Sequence, residues 1–313
     1  MPGQMNPSQA RVIDPILSNH AQKHRNAQFV LEALFPVVMV GQRGGRVIKF
    51  NKDSFRRFST RRAPGTNTKR VQFGYASDPI ALMQDSMEGQ VPIELLDEAR
   101  AVPGINLGAN AVETVLDVMG LGVEYERAQI ATDANNYGTN KETLAGTDQW
   151  SDPAADVKTQ INDAKQAIRK RVGHMPNILT ISSQAQSDLE SNTAIKEQFK
   201  YTSSESITLD MLARYFQVEK VIVPEAVSLP DGAADSADLE DVWGNFAVLA
   251  YVPPNAKTID VPSFGYTYRL NGHPLVEQAY FERNPKSWFY PVTVEERAYH
   301  TAADAGYLFT DVS

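Results

Sequence analysis

The chain contains no cysteine, which excludes a disulfide framework, a thiolate nucleophile and a cysteine-ligated metal. This absence fits a reducing compartment. The N-terminal residues have no apolar core of the kind found in signal peptides. Apolar runs such as FPVVMV at residues 35–40 are strand-sized, well short of the ~20 residues that span a bilayer. We therefore expect neither a secreted disulfide protein nor a membrane protein.

Motifs for nucleotide chemistry and catalysis are also missing. No GxGxxG follows a predicted strand and no GxxxxGK[ST] occurs. The five histidines are scattered, and none lies in an HExxH motif or in an arrangement that indicates a triad. His20 and His24 share one face of a predicted helix, but a third metal ligand is missing, so a solvated polar face is favoured. The sequence predicts no catalytic residue, no cofactor site and no metal site.

What is present is ordinary globular composition. The chain has 313 residues, of which 42% are hydrophobic and 22% charged. That length allows one large or two ordinary domains, each with its own core.

The most unusual feature is a basic segment at residues 43–70. It has a single acid, Asp53, and a formal charge of +9, whereas the whole chain carries −8, so the other residues carry −17. Ten lysines and arginines supply this charge: Arg43, Arg46, Lys49, Lys52, Arg56, Arg57, Arg61, Arg62, Lys69 and Arg70. Strand-prone runs flank a turn-rich middle, which predicts a long hairpin or extended loop.

Three interpretations of the basic segment are open. Its phenylalanines alternate with arginines and could stack on nucleic-acid bases. It could be an idle solvated loop, although so long an unstructured insertion is unusual in a folded chain. The favoured interpretation is contact with the acidic surface of another copy of the chain, across an interface of opposite charges.

Helix and strand patterns suggest two lobes. Apolar spacing predicts a long helix over residues 111–132, with Asn110 as its N-cap and Glu113 at the third position. A second unit starts near Trp150, with Asp152 capping a helix that begins at Pro153 and ends at Gly173. Helices then alternate with short strands, including residues 177–182, 218–227 and 243–254. From residue 257 the sequence is rich in strand-forming and aromatic residues, which predicts a return to the first lobe.

The order of these parts resembles the major capsid proteins of tailed bacteriophages, which share the HK97 fold. The resemblance covers about residues 30–290. It rests on FPVVMV before the basic segment with RRAPGT, the long helix, and then QWSDP, PNILTIS, ITLDMLARYFQVEKVIV, WGNFAVLAYVP and PSFGYTYR.

The resemblance implies an α+β fold with four regions. These are an N-terminal arm (1–40), an extended β-hairpin loop (41–78), a discontinuous peripheral domain with a long spine helix and long strands (79–150 and 259–313), and an α/β axial domain (151–258). The last twenty residues could instead return to the axial lobe. In such proteins the extended loop lies across an adjacent subunit, so all ten basic residues are expected at inter-subunit contacts.

The implied function is a structural, non-enzymatic subunit that assembles into hexamers and pentamers of an icosahedral phage head around double-stranded DNA. The implied location is the virion, after assembly in the bacterial cytoplasm. Expected partners are further copies, a separate scaffolding protein, a portal, a decoration protein, and DNA held weakly and non-specifically. The alternatives are an encapsulin shell, a cytoplasmic hydrolase and a nucleic-acid-binding module.

Overall fold

The computed structural model describes residues 13–49, 61, 76–99, 106–200, 207–234, 236–254 and 262–313. Within them the chain forms seven α-helices: α1 (Pro15–Lys23), α2 (Ile93–Ala99), α3 (Leu107–Thr132), α4 (Val157–Val172), α5 (Ser183–Ser191), α6 (Thr193–Phe199) and α7 (Leu209–Phe216). The strands in the same residues are β1 (Val37–Val40), β2 (Gly44–Lys49), β3 (Ala76–Ala81), β4 (Met83–Pro92), β5 (Lys141–Thr143), β6 (Ile178–Ile181), β7 (Lys220–Ile222), β8 (Val227–Ser228), β9 (Glu240–Asp241), β10 (Phe246–Ala250), β11 (Gly265–Leu270), β12 (Leu275–Val276), β13 (Tyr280–Glu282), β14 (Ser287–His300) and β15 (Gly306–Thr310).

The first sheet is organised around β14, which is 14 residues long. Along one edge, β4 pairs antiparallel with it from Ser287↔Pro92 to Glu296↔Met83. Along the other edge, β13, β12 and β11 pair with it in succession, and β1 adds parallel to β11. The long helix α3 lies on this sheet because its apolar stripe, with Val112, Val115 and Leu116, joins valines of β12 and β14 in one buried cluster.

The second sheet has the strand order β5-β15-β10-β6-β7. All four residues of β6 are buried, as expected for a central strand covered on both faces. Helix α4 contributes Ile161, Ala164 and Ile168 to the same large core. Gly173 ends α4 in the left-handed conformation, with φ of 78°, which glycine adopts without steric cost.

Two predicted helix starts are wrong. The long helix begins at Leu107, because the Asn106 side chain accepts the amide hydrogen of Ala109, and Asn110 lies inside the first turn. With 26 residues the helix is about 39 Å long. In the second lobe, Asp156 rather than Asp152 caps α4, since Asp156 accepts from the amide of Thr159. Asp152 instead accepts from Ala154 in a preceding turn.

The strand pairing shows which sheet each part of the predicted peripheral domain joins. Strands β11 and β14 belong to the first sheet, but β15 pairs with β10 of the second sheet from Phe246↔Thr310 to Ala250↔Gly306. Strand β5, predicted in the peripheral region, pairs with β15. The chain therefore crosses between the lobes once more near residue 301, and the domain boundaries 79–150, 151–258 and 259–313 remain a prediction.

Candidate assembly surfaces

The structure describes only part of the basic segment. Strands β2 and β3 form a two-stranded ribbon that pairs Gly44 with Ala81 and Lys49 with Ala76, which agrees with the base of the predicted hairpin. The side chains of Arg43, Arg46 and Arg61 are exposed. Lys49 is described by its backbone alone, and six predicted contact residues lie outside the described residues: Lys52, Arg56, Arg57, Arg62, Lys69 and Arg70.

Arg43 fixes the base of this ribbon to its own subunit. Its Nε donates to one carboxylate oxygen of Glu295 and its Nη2 to the other, both at 2.6 Å. The Glu295 side chain is 1% exposed and that of Arg43 66%, so a buried acid holds a solvent-facing base. The pair raises the pKa of Arg43 through the hydrogen bond and charge of Glu295. A bidentate contact of this kind orients as well as attracts, and it sets where the ribbon leaves the sheet.

An acidic stretch follows the basic segment directly in the chain. Residues 71–99 contain six acids and no lysine or arginine. The first six residues of β4 are all exposed, including Met83 and Met87, although they pair with the central strand of the sheet. Helix α2 buries none of its residues, and Leu95 in it is 50% exposed. A strand and a helix with this much exposed apolar surface are suited to covering by another molecule.

A groove of about 550 Å³ lies between β4, α3 and the arm. Its apolar wall includes Met83, Met87 and Phe29, and its acidic residues include Asp85 and Glu126. Burial raises the pKa of Glu126, and nearby Arg297, at 3.4 Å, opposes that shift. The groove therefore joins methionine-rich apolar surface to carboxylates along the same exposed stretch of β4.

A second cluster, which we call the arm clamp, holds the N-terminal arm on α3. His20 Nε2 lies 2.7 Å from a carboxylate oxygen of Glu113, and His24 Nε2 lies 2.8 Å from one of Asp117. Asn26 donates to the same Asp117 oxygen at 3.0 Å. The two histidines are thus partners of α3 carboxylates, rather than the solvated face that the sequence favoured.

The clamp continues along the next two turns of α3. The ring of Phe29 lies against Gly120, where an added Cβ would come within 2.7 Å of its Cε2 atom. Further along, Glu124 is fully buried and accepts the amide hydrogen of Leu31 at 2.8 Å. Burial raises the pKa of Glu124, and the contact with Leu31 together with Arg127, 3.5 Å away, counteracts part of that rise.

The four clamp positions on α3 lie at steps of four, three and four residues, so they form one stripe along the helix. Sequence reasoning missed this stripe because Glu113, Asp117 and Glu124 are polar residues between the apolar positions that predict the helix, and nothing in their spacing indicates a partner elsewhere in the chain. The matching interval was present in the sequence: His20 and His24 are four apart, as are Glu113 and Asp117. Pairing the two intervals required knowing that the arm runs beside the helix.

Among the described residues, no cluster of three or more histidine and acidic side chains is arranged to hold a metal ion. In the same residues no helix is both long and apolar enough to cross a membrane. The chemistry that these surfaces offer is therefore charge pairing and apolar contact.

Comparisons with known proteins agree with this picture. No protein-family model matches the chain. The major capsid protein of Burkholderia phage BcepMu is 34% identical over 312 residues, which cover 98% of each chain. A phage-related protein from Bordetella bronchiseptica RB50, solved by crystallography, is 42% identical with a TM-score of 0.82, and the match covers 97% of this chain and 98% of that one.

More distant structures share the fold. The capsid of phage XM1 matches with a TM-score of 0.53 at 13% identity over 99% of each chain. The SrpI encapsulin from Synechococcus elongatus matches with a TM-score of 0.55 at 11% identity, covering 92% of this chain and 88% of that one. The fold is thus common to phage heads and encapsulins, and the identity over the full length is what separates the two possibilities.

Proposed function

This chain belongs to the major capsid proteins of bacteriophages, and we propose that its basic segment joins neighbouring copies within the phage head. The fold is the HK97-like capsid fold, and many copies of the protein assemble into the shell. The full-length relationship to a phage capsid protein favours a phage head over an encapsulin compartment or a hydrolase.

One observation carries the proposal: a strongly basic segment stands next to an acidic stretch in the chain, and that acidic stretch leaves apolar side chains exposed. The basic segment carries +9, and residues 71–99, which follow it, carry −6. Strand β4 and helix α2 within that acidic stretch leave Met83, Met87 and Leu95 exposed. On this proposal, the basic segment of one subunit covers β4 and α2 of the next, where complementary charge guides the docking.

The ion pair of Arg43 supports this arrangement. Since Arg43 is held by Glu295 of its own subunit, it orients the ribbon, and the other nine basic residues are the proposed contacts. Individual exposed ion pairs contribute only about 0–1 kcal/mol. The contact therefore depends on several pairs in each subunit and on repetition around the shell.

Charge reversal tests the proposal. The variant R56E/R57E/R61E/R62E should keep the secondary structure of the subunit but fail to form stable shells, because four attractive contacts become repulsive. Circular dichroism checks folding, and sedimentation with negative-stain microscopy checks assembly. Normal particles from this variant would refute the role of the segment.

A matched control separates the location of the charges from their number. The variant K23E/K196E/R214E/R283E reverses four bases that are exposed on the subunit and lie outside the segment. It changes the net charge by the same amount, so it should assemble far better than the first variant. Equal loss of assembly in both would point to net charge alone.

Finer features of assembly follow from the same family relationship. We infer that the copies form hexamers and pentamers, that a separate scaffolding protein and a portal take part, and that assembly occurs in the host cytoplasm. Correctly sized closed shells from this chain expressed alone would exclude the need for scaffolding. The role is structural rather than enzymatic, and the acidic surface is expected to hold packaged DNA weakly, since phosphate binding needs cations.

A further inference from the structure

The second lobe carries an exposed hairpin that is apolar on one face and acidic throughout. We call residues 225–241, which contain β8 and β9, the acidic hairpin. Val227 is 39% exposed, Leu229 38% and Leu239 62%. Strand β8 pairs Val227 with Asp241 and Ser228 with Glu240. Continued alternation of the two strands puts Leu229 and Leu239 on the face of Val227, which also carries Asp241. That face is therefore largely apolar, with a carboxylate at one end.

The hairpin is a fixed part of the lobe rather than a loose loop. At its base, Ala226 and Val242 are buried, and the Val242 amide donates to the Ala226 carbonyl at 3.0 Å. Trp243, immediately after, is 2% exposed and donates through Nε1 to the Phe246 carbonyl. The core therefore holds the base of the hairpin, and with it the partly exposed apolar face, in a defined position.

The hairpin is also strongly acidic. Residues 221–256 contain six acids and no lysine or arginine, and the described acids of the hairpin are all exposed: Glu225, Asp231, Asp238, Glu240 and Asp241. An apolar face with an acidic rim selects a partner that is apolar at its centre and basic at its edge.

The same lobe has a surface of that kind, which we call the basic corner. It comprises residues 169–175 at the end of α4, together with Tyr251. Arg169 and Lys170 are exposed, and Met175 is 46% exposed. The His174 ring stacks on Tyr251, with centroids 4.8 Å apart and planes at 6°.

Some charge of the corner is already balanced within the subunit. Arg171 is paired with Asp304 at 2.8 Å, and the exposed Glu219 accepts from Asn177 nearby. Arg169 donates to the neutral Gln166, and this hydrogen bond does not neutralise the positive charge of Arg169. Arg169 and Lys170 are thus the bases available to an outside partner.

The hairpin and the corner lie at opposite ends of one sheet. The corner precedes β6, which begins at Ile178, and β10 reaches that end at Ala250, its partner. The hairpin instead leads into the start of β10 near Ala247, which pairs with Ile181 at the other end of β6. Because the two surfaces lie at opposite ends of the sheet, the hairpin does not contact the corner of its own subunit.

We propose that the acidic hairpin of one subunit docks on the basic corner of a neighbouring copy. The inference rests on the proposed function and adds a contact distinct from that of the basic segment. Leu229 and Leu239 would then lie on Met175 and Tyr251, with carboxylates facing Arg169 and Lys170.

A charge swap tests the contact. The hairpin variant D238K/E240K and the corner variant R169E/K170E should each reduce the yield of shells by at least about tenfold, because each puts like charges face to face. Combining all four substitutions restores opposite charges with reversed polarity and should bring the yield back to within about threefold of wild type. Sedimentation and electron microscopy of the full-length protein give the yields.

A matched control excludes a general charge effect. Combining R169E/K170E with E197K/E282K gives the same net charge as the swap, but places the new lysines at exposed positions outside the hairpin and outside β4 and α2. This variant should remain defective. The proposal is overturned if either single-surface variant assembles normally, or if the swap is no better than this control.

The outcomes also separate this contact from the proposed function. If wild type forms shells and the swap fails to rescue, the contact between hairpin and corner is wrong while the capsid role stands. Circular dichroism and melting temperatures of the unassembled variants show whether any loss comes from unfolding. If wild type forms no shells with its scaffolding partner, the proposed function itself fails.

Discussion

Substitution of Gly120 by alanine puts a methyl group between α3 and the N-terminal arm. A Cβ at Gly120 would lie 2.7 Å from Cε2 and 3.1 Å from Cδ2 of Phe29, whereas carbon atoms in favourable contact are about 3.5–4.0 Å apart. The matched site is Gly122 on the same helix, where an added Cβ meets no atom within 4 Å. An added methyl group would therefore meet the arm at Gly120 but not at Gly122.

The expected magnitudes follow from two opposing effects. Alanine in a helix interior is more favourable than glycine by up to about 1 kcal/mol, so Gly122→Ala should raise the free energy of unfolding by about 0.5–1 kcal/mol. Gly120→Ala has the same gain, but displacing the Phe29 ring costs about 1–3 kcal/mol. We therefore expect Gly120→Ala to lie between neutral and about 2 kcal/mol destabilising.

Urea denaturation of the unassembled full-length subunit measures both effects, and a double-mutant cycle with Phe29→Ala isolates the contact. In the Phe29→Ala background, Gly120→Ala should become stabilising, like Gly122→Ala, giving a coupling of about 1–3 kcal/mol. If Gly120→Ala stabilises the wild-type subunit as much as Gly122→Ala does, the arm does not pack on α3 and the reasoning about the clamp is refuted.

The three other clamp positions, Glu113, Asp117 and Glu124, give two further predictions. Amide exchange of residues 16–24 should be faster in H20A/H24A than in wild type, because the histidine Nε2 atoms lie 2.7 and 2.8 Å from carboxylate oxygens of Glu113 and Asp117; equal exchange rates in both proteins would show that other contacts hold the arm. The raised pKa of Glu124 means that its contribution to stability is present below about pH 4.5 and declines as the pH rises through the folded-state value. The unfolding free energy of Glu124→Gln should therefore rise relative to wild type between pH 4 and pH 8. Glu124→Ala should show the same pH trend but cost about 1–3 kcal/mol relative to Glu124→Gln, because it leaves the Leu31 amide without its buried acceptor; pH-independent differences from wild type would contradict the assigned burial.

Local patterns in the sequence were enough to locate most helices and strands, because the spacing of apolar and capping residues within one element is enough to predict it. The left-handed residue Gly173 and the cap Thr208 are examples: each ends or begins a helix through its own backbone or side chain. The same local rules misplaced the start of α3. Asn110 and Glu113 satisfy the capping pattern, but Asn106, one turn earlier, satisfies the same need and adds a turn to the helix.

Long-range pairing was beyond those rules. Strand β15 is too short for its sequence to choose between the two sheets, and its partner β10 lies more than fifty residues away. The arm clamp was missed for the same reason, since Leu31 and Glu124 are 93 positions apart. The basic segment was conspicuous because its charge can be counted along the chain without knowing any long-range contact, although the receiving surface that we propose on β4 required the structure.

The charge distribution also bears on how a shell of such subunits can form without error. Each copy carries −8, so copies repel one another wherever surfaces meet at random, and net charge of this kind keeps free subunits apart. If attraction is confined to the basic segment and the basic corner, two copies bind only in orientations that bring those surfaces onto acidic partners. Each exposed pair supplies at most about 1 kcal/mol, so a subunit held by one misplaced contact leaves readily. A subunit that engages both contacts is retained because the second forms within an existing complex at high effective concentration. Because each contact is weak and the two lie at separate sites, a wrongly placed subunit would dissociate before the shell closes. A single strong interface would retain it.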